Sequence, residues 1–123
     1  MLYMCLIGYD PSIPPEGNLQ PKHAELESEL RGQGKFVGGA GLMPIAMGTS
    51  KRIKNGRPVV TDGPFPETKE ALGGYYIIEC ATDAEAIAIA ARIPVDKNSW
   101  IDVRPIFLWH PNNAHPANAT SFP

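Results

Sequence analysis

Long apolar runs are missing from this 123-residue chain. No stretch approaches the roughly 20 residues needed to span a bilayer, and Met1 to Tyr9 lacks the basic leader of a signal peptide, so a cytosolic protein is the expectation. Cysteine is scarce: Cys5 and Cys80 are the two present, too few for a disulfide framework and without metal-ligand spacing. Buried reduced thiols are expected. Charge of one sign is lacking too, because 11 basic and 13 acidic side chains leave a net charge of -2. That argues against a strong general affinity for nucleic acid or an anionic membrane and leaves a small neutral or weakly acidic ligand open.

Proline and glycine are what the chain has in excess, with 13 and 12 residues against an average share nearer 12% for the two together. A hydrophobic fraction of 43% and a charged fraction of 20% still describe a folded chain, and the length suits one domain. The prolines gather towards the ends, at 11, 14, 15 and 21 and at 105, 111, 116 and 123. Regular elements are therefore expected in between, with a domain over 1–109 and an irregular tail over 110–123.

Met1 to Tyr9 is apolar or aromatic at nearly every position and is stopped by Asp10-Pro11, which predicts a strand buried on both faces. Pro11 to Gly17 forms a loop. Leu19 to Gln33 reads as a helix, with Pro21 in its first turn, Glu25, Glu27 and Glu29 on its outer side, and Gly32 and Gly34 at its end. His23 shares a helical stripe with Leu19, Leu26 and Leu30, all within about 60° of it, and so faces the core. Lys35 to Pro44 is a second strand, whose Gly38-Gly39 step is a candidate pocket wall. Thr49 to Thr61 is a hairpin around Asn55-Gly56. Its basic residues, Lys51, Arg52, Lys54 and Arg57, suit a solvated edge better than a nucleic-acid surface. Glu67 to Leu72 has room for one or two helical turns before Gly73-Gly74. Tyr75 to Ala81 is the next strand. Thr82 to Glu85 has the spacing of a capping box opening a helix over Asp83 to Ile93, closed by Pro94. Ile101 to Trp109 is the last strand, with Pro105 at an edge or a bulge.

This order fits an α+β fold, the ferredoxin-like βαββαβ arrangement with an added β-hairpin, in which two helices cover one face of an antiparallel sheet. The first and third core strands are apolar on both sides, so the other face needs a cover. A second copy of the chain is the simplest one, and a homodimer is expected. The same topology brings Cys5 towards Cys80.

The segment Val60 to Glu70 (VTDGPFPETKE), followed by Gly73-Gly74-Tyr75-Tyr76, closely resembles the signature of the YCII-related, or DGPF domain, family. Pro21-Lys22-His23, Gly38 to Leu42, Ala91 to Pro94 and Val103 to Ile106 extend the resemblance over about residues 2 to 108. It implies a dimeric α/β barrel of ferredoxin-like protomers, and a histidine and aspartate pair in a cleft that falls on His23 and Asp62. A neutral imidazole near pH 7 takes or gives a proton, and a carboxylate fixes its tautomer. Each residue also has a structural reading: His23 as a satisfied core side chain, Asp62 as a turn residue or the cap of the short helix after it.

Gly39, Phe65, Tyr75 and Arg104 complete the candidate substrate-binding set. Core packing is the commoner role for side chains such as Phe65 and Tyr75, and a salt bridge to a carboxylate such as Glu79 the commoner one for Arg104. His110 and His115 show no metal spacing with His23, and no phosphate-binding glycine pattern or nucleophile motif is present, so neither metal nor cofactor is expected. The expected function is proton transfer on a small organic molecule, such as an isomerisation, a dehydrochlorination or a related elimination. The alternative is a non-catalytic ligand-binding or regulatory partner, in line with relatives that accompany alternative sigma factors of RNA polymerase.

Overall fold

The computed structural model describes residues 1–65 and 69–111. Six strands and two helices run in the order β1 (Leu2–Tyr9), α1 (Gln20–Gly32), β2 (Phe36–Gly41), β3 (Thr49–Lys54), β4 (Arg57–Asp62), β5 (Ala71–Glu79), α2 (Asp83–Ala90) and β6 (Ser99–Pro105), with one 3-10 turn at Ile45–Met47. Four strands form an antiparallel sheet in the order β2-β5-β1-β6, and β3 pairs with β4 as a separate two-stranded sheet. The result is a mixed α+β fold. No helix among the described residues is long and apolar enough to cross a membrane.

Strand alternation sorts the sheet into two faces. Tyr3 and Cys5 of β1 and Tyr76 and Ile78 of β5 turn to one face, where they pack with Leu26 and Leu30 of α1 and Ala86, Ile89 and Ala90 of α2. Burying a leucine in such a core contributes about 1.5–3 kcal/mol, so α1 is anchored by its two leucines despite lacking a side-chain hydrogen bond at its N-cap, Leu19. Leu2, Met4 and Leu6 alternate to the opposite face, where they are half-buried. Within the single chain the first strand is fully buried on one side and half-buried on the other. Cys5 and Cys80 are both buried and both reduced, in the same core.

The hairpin has the turn its Asn-Gly step requires, with φ of 53° at Asn55 and 76° at Gly56. At α2, the Thr82 hydroxyl accepts from the Glu85 amide at 3.1 Å. The Glu85 carboxylate reaches back one residue further than a standard box, to the Ala81 amide at 3.1 Å.

Two elements depart from expectation. The short helix ending at Leu72 is absent where it can be seen: residues 67 and 68 lie outside the described residues, Lys69 and Glu70 are not helical, and Ala71 already begins β5. The Gly73-Gly74 pair lies inside that strand. A Cβ on Gly74 would stand 2.5 Å from the Ala40 carbonyl oxygen, so this glycine permits the close approach of β2 and β5. The last strand runs from Ser99 to Pro105, because proline has no amide to continue the ladder, although Ile106 still donates to the Leu2 carbonyl at 2.9 Å. The expected tail position His115 falls outside the described residues.

Candidate functional site

The N-terminal end of α1 lies against the Gly-rich edge of the main sheet. The Asn18 side chain accepts from the Gln20 amide at 3.0 Å, and Pro21 sits at the start of the helix, where its missing donor costs nothing. One turn on, His23 donates its amide to the Leu19 carbonyl at 3.0 Å. Its side chain is directed at the sheet, as the stripe predicts. There the Nδ1 atom lies 2.7 Å from the Tyr76 hydroxyl, and the two rings are tilted with centroids 5.8 Å apart. Tyr76 is held in turn by the edge of Phe36, and the Arg31 guanidinium covers the Phe36 ring at 4.5 Å.

His23, Glu27 and Gln20 from α1 face Tyr76 and the backbone of β2 and β5 across a cleft of about 140 Å³. That is space for a few water molecules or a small organic fragment, at about 30 Å³ per water. Burial lowers the pKa of His23, and the nearby Glu27 carboxylate opposes this. Burial, assisted by Glu27 and Cys5, pushes the Tyr76 phenol up to about 12. Both groups are therefore uncharged at neutral pH. With Nδ1 engaged by Tyr76, Nε2 is the ring nitrogen left without a protein partner among the described residues. Such an imidazole is oriented from behind and has one nitrogen for proton exchange.

The remaining predicted residues divide. Tyr75 borders the cleft through its backbone: paired with Leu6, its half-buried side chain alternates to the sheet face opposite Tyr76. Gly39 lies opposite Tyr76 in the β2–β5 ladder, and a Cβ there would stand 2.7 Å from the Tyr75 carbonyl oxygen, so it sets the spacing of the wall beside cleft-lining Ala40 and Gly41. Asp62 ends β4 on an exposed position opposite Thr49, and no hydrogen bond joins it to His23 among the described residues. Of the short helix that Asp62 would cap in its alternative reading, the described residues Lys69 to Leu72 are not helical. Phe65 is buried at 2% exposure, with Arg52 and Lys54 over its ring at 4.4 and 5.0 Å, and does not line the His23 cleft. Arg104 is exposed on the edge strand β6, opposite Met4. Its expected partner Glu79 instead binds the N-terminal ammonium of Met1 at 2.8 Å.

The sequence carried signals for the two groups that were missed. Glu27 stands four residues after His23 and hence on the same helical face, not the outer one. Tyr76 is in phase with Ile78, which fixes it on the helix-bearing side of β5. Among the described residues no group of three His, Cys, Asp or Glu side chains is placed to hold a metal ion.

A family model, the YCII-related domain, matches residues 1–110, which takes in every strand and helix described above. The chain belongs to the YCII-related domain family. It is also 32% identical over 119 residues to an uncharacterized protein of Rhizobium meliloti (strain 1021), a match that covers 90% of this chain and 96% of that protein. For this YCII-related chain the His23 cleft lies wholly inside the family match, as does the hairpin that carries Asp62.

Proposed function

We propose that this YCII-related protein transfers protons on a small organic molecule in the His23 cleft, as in an isomerisation or an elimination. The observation that carries this reading is the uncharged imidazole held by Tyr76 at 2.7 Å on the wall of a cleft. His23 acts as the base or acid through Nε2. Tyr76 holds the ring and stays protonated across the physiological range, because its pKa lies at about 12. Glu27 stabilises the imidazolium formed when the base has taken its proton.

The protomer is read as ferredoxin-like and as half of a dimeric α/β barrel. Support for a second copy comes from the face that carries Leu2, Met4 and Leu6, half-buried without a helix over it. Within one protomer Asp62 makes no bond to His23, so a His23–Asp62 pair belongs to this proposal only with the Asp62 of a second copy. Gly39 and the backbone of Tyr75 shape the substrate's wall, while the Tyr75 side chain lies on the face assigned to the second copy. Arg104 and Phe65 enter at most through the dimer, on the edge strand and under the hairpin.

The test is solvent-deuterium exchange into a panel of small cyclic carbonyl compounds, followed by proton NMR. The expected result is catalysed exchange that falls by about 10²–10⁴ in His23→Ala, the usual contribution of a general base. Exchange that persists in His23→Ala refutes the role of His23. Stabilisation of the wild type by a panel member with no exchange in any of them would favour the binding-protein reading.

A further inference from the structure

A second concavity lies beyond the Gly73 wall, between the loop after β1 and the segment after β2. Its volume is about 470 Å³, within the range of a few hundred to about a thousand Å³ typical of small-molecule sites. Pro11, Pro14 and Pro15 line one side and Pro44 and Ile45 the other, and no charged side chain is among the described residues that line it.

The walls are fixed. The Asp10 carboxylate accepts from the Ser12 amide and hydroxyl at 2.9 and 2.7 Å, and Asn98 Nδ2 donates to the Ile13 carbonyl at 3.0 Å. At its far end the loop is tied by the Glu16 amide, which donates to the Asp96 carboxylate at 2.6 Å. Proline locks φ in addition, so little conformational freedom is lost when the groove is filled.

Two polar atoms within this apolar lining have bonding capacity left. The Tyr9 hydroxyl accepts from the Ile45 amide at 3.1 Å, and its own proton has no acceptor among the described residues. Asn98, 9% exposed, uses Nδ2 on Ile13, and its Oδ1 has no donor among them. Among the described residues no buried side-chain nitrogen or oxygen atom lacks a hydrogen-bond partner, so both atoms face the open groove, where a ligand must replace their water with an equivalent partner.

We propose that this groove is a second binding site, for a neutral ring compound carrying one hydroxyl or carbonyl group. The prolines and Ile45 hold the ring, and Tyr9 and Asn98 offer one donor and one acceptor to its polar group. A charged ligand is disfavoured because no charged side chain among the described lining residues offsets its desolvation. The site is independent of the chemistry assigned to His23, since Gly73 and the Tyr9 ring packed against it stand between the two cavities.

Calorimetric titration of the full chain with 2-naphthol tests this, with 2-naphthoate as the charged counterpart of the same ring. The expected result is saturable one-site binding of 2-naphthol, about tenfold or more weaker binding of 2-naphthoate, and unchanged 2-naphthol affinity in His23→Ala. Ala46→Trp, which fills the groove from an exposed lining position, is expected to weaken 2-naphthol by about tenfold or more. Should that variant lose its fold by circular dichroism, Pro14→Glu, a charge on the exposed loop, takes its place with the same expected loss. Absence of saturable binding, equal binding of the two probes, or a loss in His23→Ala but not in the groove variant would overturn the proposal.

Discussion

Replacing Gly74 by alanine tests the wall of the His23 cleft directly. The added Cβ would lie 2.5 Å from the Ala40 carbonyl oxygen and 3.3 Å from the Gly41 Cα, both backbone atoms of the neighbouring strand. No side chain can swing aside, so β2 must move away from β5. Overpacking of this kind costs about 1–3 kcal/mol, and alanine returns about 0.4–1 kcal/mol by restricting the unfolded chain. The net expectation is a loss of about 1–2 kcal/mol. With an unfolding entropy near 2.1 cal/mol/K per residue, that lowers Tm by about 4–8 °C for a chain of this length. Gly41→Ala is the matched control, since a Cβ there meets nothing within 4 Å and its φ lies outside the left-handed region. It is expected to leave Tm unchanged or raise it slightly. Differential scanning fluorimetry of the two variants beside the wild type decides the point. A Gly74→Ala protein as stable as Gly41→Ala would refute the claim that glycine at 74 permits strand approach.

Further expectations are open to similar measurements. Thr82→Ala removes the hydroxyl that accepts from the Glu85 amide and should cost about 0.5–2 kcal/mol in urea unfolding. Tyr76→Phe leaves the half-buried Nδ1 of His23 without its partner, for a loss of about 1 kcal/mol. Because burial lowers the pKa of His23, the unfolded chain takes up that proton first as pH falls. The contribution of a neutral His23 is complete above the ordinary histidine pKa of about 6.5 and declines below it, so Tm between pH 7 and 5 should fall less in His23→Gln than in the wild type. Cys5, whose thiol burial pushes up to about 11, should resist a disulfide reagent at pH 8 until the protein is unfolded.

How far the sequence revealed the fold depended on whether each local signal had one physical meaning. Asn55-Gly56 did, because few residue pairs accept two positive φ angles, and the hairpin appears where it was read. The Thr82 to Glu85 spacing located the start of α2, but the helix ends at Ala90 and the chain turns before Pro94. Gly73-Gly74 had two meanings. As a stop signal it separated a helix from a strand; as a close-approach signal it belongs inside β5, and only the position of Ala40 across the ladder decides between them. The site divides in the same way. The apolar stripe of α1 placed His23 correctly, since Leu26 and Leu30 fix that face from within one element. Its partner could not be found so locally, because Tyr76 is 53 residues away and meets His23 only after β5 has docked beside β1.

The glycines of β2 and β5 connect this geometry to chemistry. Gly74 and Gly39 hold the two strands at a spacing that no Cβ would permit, and that spacing keeps Tyr76 and the sheet backbone close under α1. Burial is the leading cause of the lowered pKa of His23, and the Glu27 carboxylate works against it. A residue that pushes β2 outwards would therefore widen the cleft, admit water to the imidazole and let its pKa rise towards the ordinary value. Stability and acid–base behaviour are thus set by the same backbone contact. Gly74→Ala should move both together, whereas Thr82→Ala, at the N-terminus of the other helix, should lower stability and leave the titration of His23 where it was.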